Sequence, residues 1–116
     1  MSLSIGLKEK LYQYGTASGF VSTTNWLYDA GYTHNVVPMW KQSGVYEALY
    51  KSNGKKAKSI IGNLEDGISF MEEYPSLYKI LNPKNGLGDY YSALEFLRGV
   101  CYACKEFPNA RISVWA

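Results

Sequence analysis

Between residues 89 and 107 the apolar side chains Tyr90, Ala93, Leu94, Leu97, Val100, Cys101 and Cys104 recur at steps of three and four, which is one continuous helical face. Turn-forming Asn85-Gly86-Leu87-Gly88 precedes this stretch, Asp89 is placed to cap its first amides and Pro108 stops it, so both ends are marked. Residues 110–115 then alternate apolar and polar positions, as a half-buried strand does. A second stripe, Ala57, Ile60, Ile61, Leu64, Ile68 and Met71, predicts a helix over 55–73. Gly62 and Gly67 weaken that helix, which predicts that another element crosses closely there. The two stripes read as the two halves of a core.

Elsewhere the pattern is less regular. Leu7, Leu11 and Tyr14 suggest a short helix within residues 1–14, and Met1-Ser2-Leu3 is compatible with a vector-derived tail. Residues 15–24, rich in small polar residues and glycine, read as a loop or ragged strand. Trp26, Tyr28 and Tyr32 favour a strand over 25–33, with Gly31 marking a bulge or a close backbone approach. That strand is the expected mate of the C-terminal one. Asn35 is placed to cap a helix reaching about residue 42, with Pro38 tolerated in its first turn. After the break at Ser43-Gly44, Val45, Ala48 and Leu49 face inward from a helix over 45–51, and a short helical piece follows at 76–81. The expected architecture is a single domain, residues 1–116. Its fold class is α+β, mainly helical, with two core helices and a small antiparallel β pair.

Composition places the chain among globular proteins: 47% of its 116 residues are hydrophobic and only 19% are charged. A formal charge of +2 is too mild to imply a nucleic-acid partner. No apolar run approaches the roughly 20 residues that span a bilayer, and no signal core is recognisable, so a cytoplasmic, non-membrane protein is expected. The aromatic content changes the picture more. Eleven Tyr, three Trp and four Phe exceed what so small a core can cover, and exposed Tyr and Trp are common anchors of binding surfaces and of self-association into a homo-oligomer.

Candidate chemistry is sparse. Cys101 and Cys104 lie mid-helix on the core stripe, where they read as packing residues; no metal or cofactor is expected. His34, the only histidine, stands at a strand-to-helix junction in Thr33-His34-Asn35; it is a candidate general base that Asp29 would orient, or simply part of a capping cluster. Lys51, Lys55, Lys56 and Lys58 bracket Asn53-Gly54 without the glycine spacing of a phosphate loop. Placed at the start of the 55–73 helix they oppose its dipole, a cost that a bound anion would offset, so they are either a candidate anion site or a solvated basic turn whose charges are screened. Glu65, Asp66, Glu72 and Glu73 on the same helix read as a solvated face.

Tyr32-Thr33-His34-Asn35, Ser43-Gly44-Val45-Tyr46, the segment Asn82-Pro83-Lys84-Asn85-Gly86-Leu87-Gly88-Asp89-Tyr90, and residues 103–110 with Cys104, Pro108 and Ala110 occur together. In this combination the chain resembles a family of small uncharacterised bacteriophage and prophage proteins with a Thr-His-Asn box and an Asn-Gly-Trp-Gly turn. Leu87 stands here where that family carries Trp, and Leu49-Tyr50-Lys51-Ser52 replaces its acidic segment. The resemblance implies a phage accessory protein and carries no activity with it.

Two readings lead, and nucleic-acid binding through the lysines and aromatics, with a steep loss of affinity as salt rises, is a weaker third. In the first the protein is a non-enzymatic binder with a counter-defence role, inhibiting a host protein such as a CRISPR or other immune effector or sequestering a small anionic signal molecule. In the second it is a small enzyme acting on a phosphoester or nucleotide through His34. The expected binding surface joins the junction, Tyr32, Thr33, His34 and Asn35, to the turn at Asn85, Gly86 and Gly88 with Tyr91 beside it, a polar pocket with aromatic walls; the rival reading is that the glycines only permit a tight turn and the tyrosines fill the rim.

Overall fold

The computed structural model describes the backbone of residues 2–15 and 19–116 and the side chains of residues 2–10 and 23–116. Two long strands, β1 (Ser2–Gly15) and β2 (Gly19–Thr33), form an antiparallel hairpin, and β3 (Arg111–Trp115) adds antiparallel to the other side of β1. The order is therefore β2-β1-β3, with β1 in the centre. Two expectations are corrected here. Residues 2–15 are strand rather than helix, because Leu3, Ile5 and Leu7 alternate with Ser4, Gly6 and Lys8 and all three are buried. And β2 does not pair with β3, since β1 lies between them. Leu3 is a core residue, whereas Met1, Thr16, Ala17 and Ser18, and the side chains of Leu11 and Tyr14, lie outside the described residues.

Register sets the two faces. Leu3 is opposite Tyr32, Ile5 opposite both Ala30 and Val114, and Leu7 opposite both Tyr28 and Ile112, and these positions face the core. The pairing shifts after Leu7, where Lys8 meets Trp26 and Leu27 is the extra residue of a bulge.

Five α-helices follow β2, so α+β describes the fold, with a three-stranded sheet in place of a pair. A 3-10 turn (His34–Val36) leads into α1 (Val37–Ser43), which has Pro38 in its first turn; Gly44, at φ 82°, ends it. Asn35 does not cap α1, which starts from Val36 without a side-chain cap; Thr33 caps the 3-10 turn before it, its Oγ1 accepting from the Asn35 amide at 3.2 Å. Then come α2 (Tyr46–Tyr50), α3 (Ile61–Glu73), α4 (Pro75–Lys79) and α5 (Tyr90–Glu106). The helix expected from residue 55 begins later. Gly54 donates to the Ile112 carbonyl at 2.7 Å, Ile112 to Lys55 at 2.9 Å and Ala57 to Ala110 at 2.8 Å, so this segment runs beside β3 before a 3-10 turn (Ala57–Ile60) opens α3.

The core lies between the inner sheet face and the helices, with α5 packed on both β2 and α3. Two core helices is too narrow a description, because Met39 and Trp40 of α1 and Leu49 of α2 are as fully buried as Leu64 and Leu97. Asp89 caps α5 as its position predicts, its carboxylate accepting from the Ser92 amide at 2.8 Å. Among the described residues no helix is long and apolar enough to cross a membrane.

Candidate functional site

Tyr32 is the residue on which the two distant segments meet. Its ring turns inward from β2, stacks on Phe96 of α5 with centroids 5.4 Å apart and lies 6.1 Å from Trp40, so its position is held by packing. Its hydroxyl accepts from the Asp89 amide at 3.2 Å and stands 2.5 Å from Ser92 Oγ. Ser92 Oγ in turn donates to Asp89 Oδ1 at 3.0 Å. A short polar chain thus ties the end of β2 to the start of α5. The Ser92 amide, and after it the Ser92 hydroxyl, hold the Asp89 carboxyl below its usual value.

The turn before α5 is shaped to reach this junction. Asn85 Oδ1 accepts from the Leu87 amide at 3.0 Å, and Asn82 Oδ1 accepts from the Tyr90 amide at 2.9 Å. Gly88 adopts φ 99°, and a Cβ there would lie 2.8 Å from Thr33 Cγ2 and 3.0 Å from Val36 Cγ1. Only glycine meets both demands. The result is an open cleft of about 490 Å³ lined by Gly31, Tyr32, Thr33, Asn35, Leu87, Gly88 and Ser92.

Of the residues expected at the site, Tyr32, Thr33, Asn35 and Gly88 come together there. Asn85 and Gly86 build the turn without lining the cleft, and Tyr91 projects to solvent beside Lys79, whose Nζ is 4.8 Å from its ring. Ser92 was not foreseen; its place three residues after the Asp89 cap is the signal that would have found it. His34 is not part of the cleft. Its Nδ1 lies 2.7 Å from the Tyr50 hydroxyl, whose pKa is pushed up to about 12, first by burial and then by the stacked Tyr46. Asp29, proposed to orient His34, sits opposite Gly6 on the outward face of the sheet.

The lysines are also redistributed. Lys55 and Lys56 lie in the segment beside β3 and Lys58 in the 3-10 turn, while Lys51 follows α2, so none stands at the start of α3. The helix-dipole argument for an anion site does not apply. On α3, Glu65 pairs with Lys105 at 2.9 Å and Glu72 with Arg98 at 2.7 Å, exposed links to α5 that act as a solvated face. Cys101 and Cys104 are buried, and burial pushes the Cys104 thiol up to about 12. No family model, curated protein or solved structure matches this chain.

Proposed function

We propose that the protein is a non-enzymatic binder and that the cleft between the Thr33 junction and the Gly88 turn receives part of a partner protein. The observation that carries this is the locking of two segments more than fifty residues apart around one polar recess, with Tyr32 fixed by hydrogen bonds at its hydroxyl and stacking at its ring. Thr33, Asn35 and Ser92 supply hydroxyl and amide groups, and Leu87, 59% exposed, supplies an apolar lip. That mixture suits a polypeptide surface. The described residues lining the cleft carry no cation, which disfavours a small anion at this place. The resemblance to phage accessory proteins makes a host defence protein the expected partner. The enzyme reading is weakened by the engagement of His34 with Tyr50 outside the cleft.

Native mass spectrometry of the protein purified from host lysate tests this. Wild type should retain a partner that Leu87→Asp and Asn35→Ala lose, both variants melting within a few degrees of wild type. Equal retention by the variants, or turnover of a phosphoester abolished by His34→Ala, would contradict it.

A further inference from the structure

The outward face of the sheet carries a row of residues that its neighbours do not explain. Lys8 is opposite Trp26 on one side and Arg111 on the other, and Arg111 is opposite Lys56, so four side chains occupy one rung on the face away from the core. Three of them are cations, directly opposite one another across strands, an arrangement that destabilises a sheet. Across roughly 10 Å of sheet no carboxylate forms a salt bridge with them among the described residues. The Arg111 guanidinium donates to the Gly54 carbonyl at 3.2 Å. The adjoining hollow, about 480 Å³, adds Lys10, Thr24, Asn109 and one carboxylate, Glu9, which accepts from Asn25 Nδ2 at 3.2 Å. Asp29, opposite Gly6, is the acid on this face; Glu9 alternates with Lys8 and Lys10 and so belongs to the side of β1 that carries Leu7. The formal charge of +2 conceals this segregation, because six of the ten carboxylates, including Glu65, Glu72 and Glu95, belong to α3 and α5.

Next to the cations lie two indoles. Trp26 and Trp115 meet with centroids 5.7 Å apart and remain 47% and 55% exposed. Trp26 lies over the central strand at Gly6, where a Cβ would be 2.9 Å from its Cζ3, and Trp115 is opposite Ser4 of the same strand. Lys8 Nζ is 5.7 Å from the Trp26 ring.

We propose that this face binds single-stranded nucleic acid, with Trp26 and Trp115 stacking on bases while Lys8, Arg111 and Lys56 hold phosphates. The charge row calls for a polyanion, and the exposed indole faces select one with free aromatic faces, which duplex DNA hides and an acidic peptide lacks. The inference concerns a different face from the cleft and does not depend on what the cleft holds.

Fluorescence anisotropy with labelled poly-dT, a duplex of equal length and poly-glutamate tests it. Wild type should bind poly-dT most tightly, with quenching of indole fluorescence and a loss of affinity as salt rises. Replacing Lys8→Gln and Lys56→Gln together should weaken binding at least tenfold and flatten the salt slope by about 1.4, at about 0.7 for each phosphate no longer neutralised. Its melting temperature should stay level or rise as like charges are removed. Lys8→Arg with Lys56→Arg should restore binding. Trp115→Ala should weaken binding about five- to hundredfold without changing the slope, and it decides the matter alone if the glutamine pair fails to fold. Absence of poly-dT binding at about 50 mM salt overturns the proposal, as does equal or tighter binding of the duplex or poly-glutamate, or affinity unchanged by these variants.

Discussion

Gly62 and Gly67 sit on the same helix, five residues apart, and alanine at the two positions should change stability in opposite directions. At Gly62 nothing lies within 4 Å of a new Cβ. Alanine there should stabilise the protein by about 0.4–1 kcal/mol, from helix propensity and a less flexible unfolded chain. Gly67 gains the same propensity, but its Cβ would overlap a Val45 methyl, with the Ser43 carbonyl 3.3 Å away. Val45 is fully buried and β-branched, so its side chain has little freedom to turn aside, and the carbonyl behind it is backbone. Overpacking of this kind costs about 1–3 kcal/mol, and the overlap places Gly67 at the upper end. The net is a loss of about 2–2.5 kcal/mol, or several degrees in melting temperature for a chain of this length. Urea unfolding followed by far-UV circular dichroism, with slopes compared to confirm two-state behaviour, measures both. If Gly67→Ala proves as stable as Gly62→Ala, the close crossing of α3 by the Ser43–Val45 corner is wrong.

Deleting residues 111–116 should cost several kcal/mol, since Ile112 is fully buried and its backbone bonds the segment at Gly54 and Lys55; an unchanged melting temperature would refute the role given to β3. Iodoacetamide at pH 8 should leave Cys101 and Cys104 unmodified in the native protein and label both in denaturant, because burial raises both thiols. The Asp89 carboxyl is lowered in the folded state below 3.8, so its contribution is present above that value and lost as pH falls through the folded pKa. Asp89→Asn should therefore differ from wild type in urea midpoint near neutral pH and converge with it in acid; a constant gap across pH would show that the charge plays no part.

The α5 helix was legible to within a residue at each end, because its stripe, cap and stop are all local. The burial of both cysteines was legible for the same reason, but of the two glycines read as marking a close crossing only Gly67 does so, since nothing lies within 4 Å of a Cβ at Gly62. What failed was non-local. Leu3, Ile5 and Leu7 alternate over only five residues before Lys8-Glu9-Lys10, and the spacing of Leu7, Leu11 and Tyr14 mimics a helix. Nothing local to β2 and β3 says that β1 lies between them. Ala57 and Ile60 fit a helix continued backwards from α3, while the bonds that hold Lys55 and Ala57 to β3 depend on a strand more than fifty residues away. At the site, the convergence of junction and turn was anticipated, but its cause is the fit of Gly88 against Thr33 and Val36. The diversion of His34 to Tyr50, sixteen residues on, left no local mark.

The most direct test of the cleft as a binding site is photo-crosslinking in host lysate from single positions. A photoreactive residue at Leu87, on the lip of the cleft, is compared with one at Tyr102, which is more open to solvent at 70% exposure on α5 but outside the cleft. The account predicts a discrete protein adduct from position 87 that Asn35→Ala diminishes, and none of the same mass from position 102. The same adduct from both positions, or none from position 87, would contradict it.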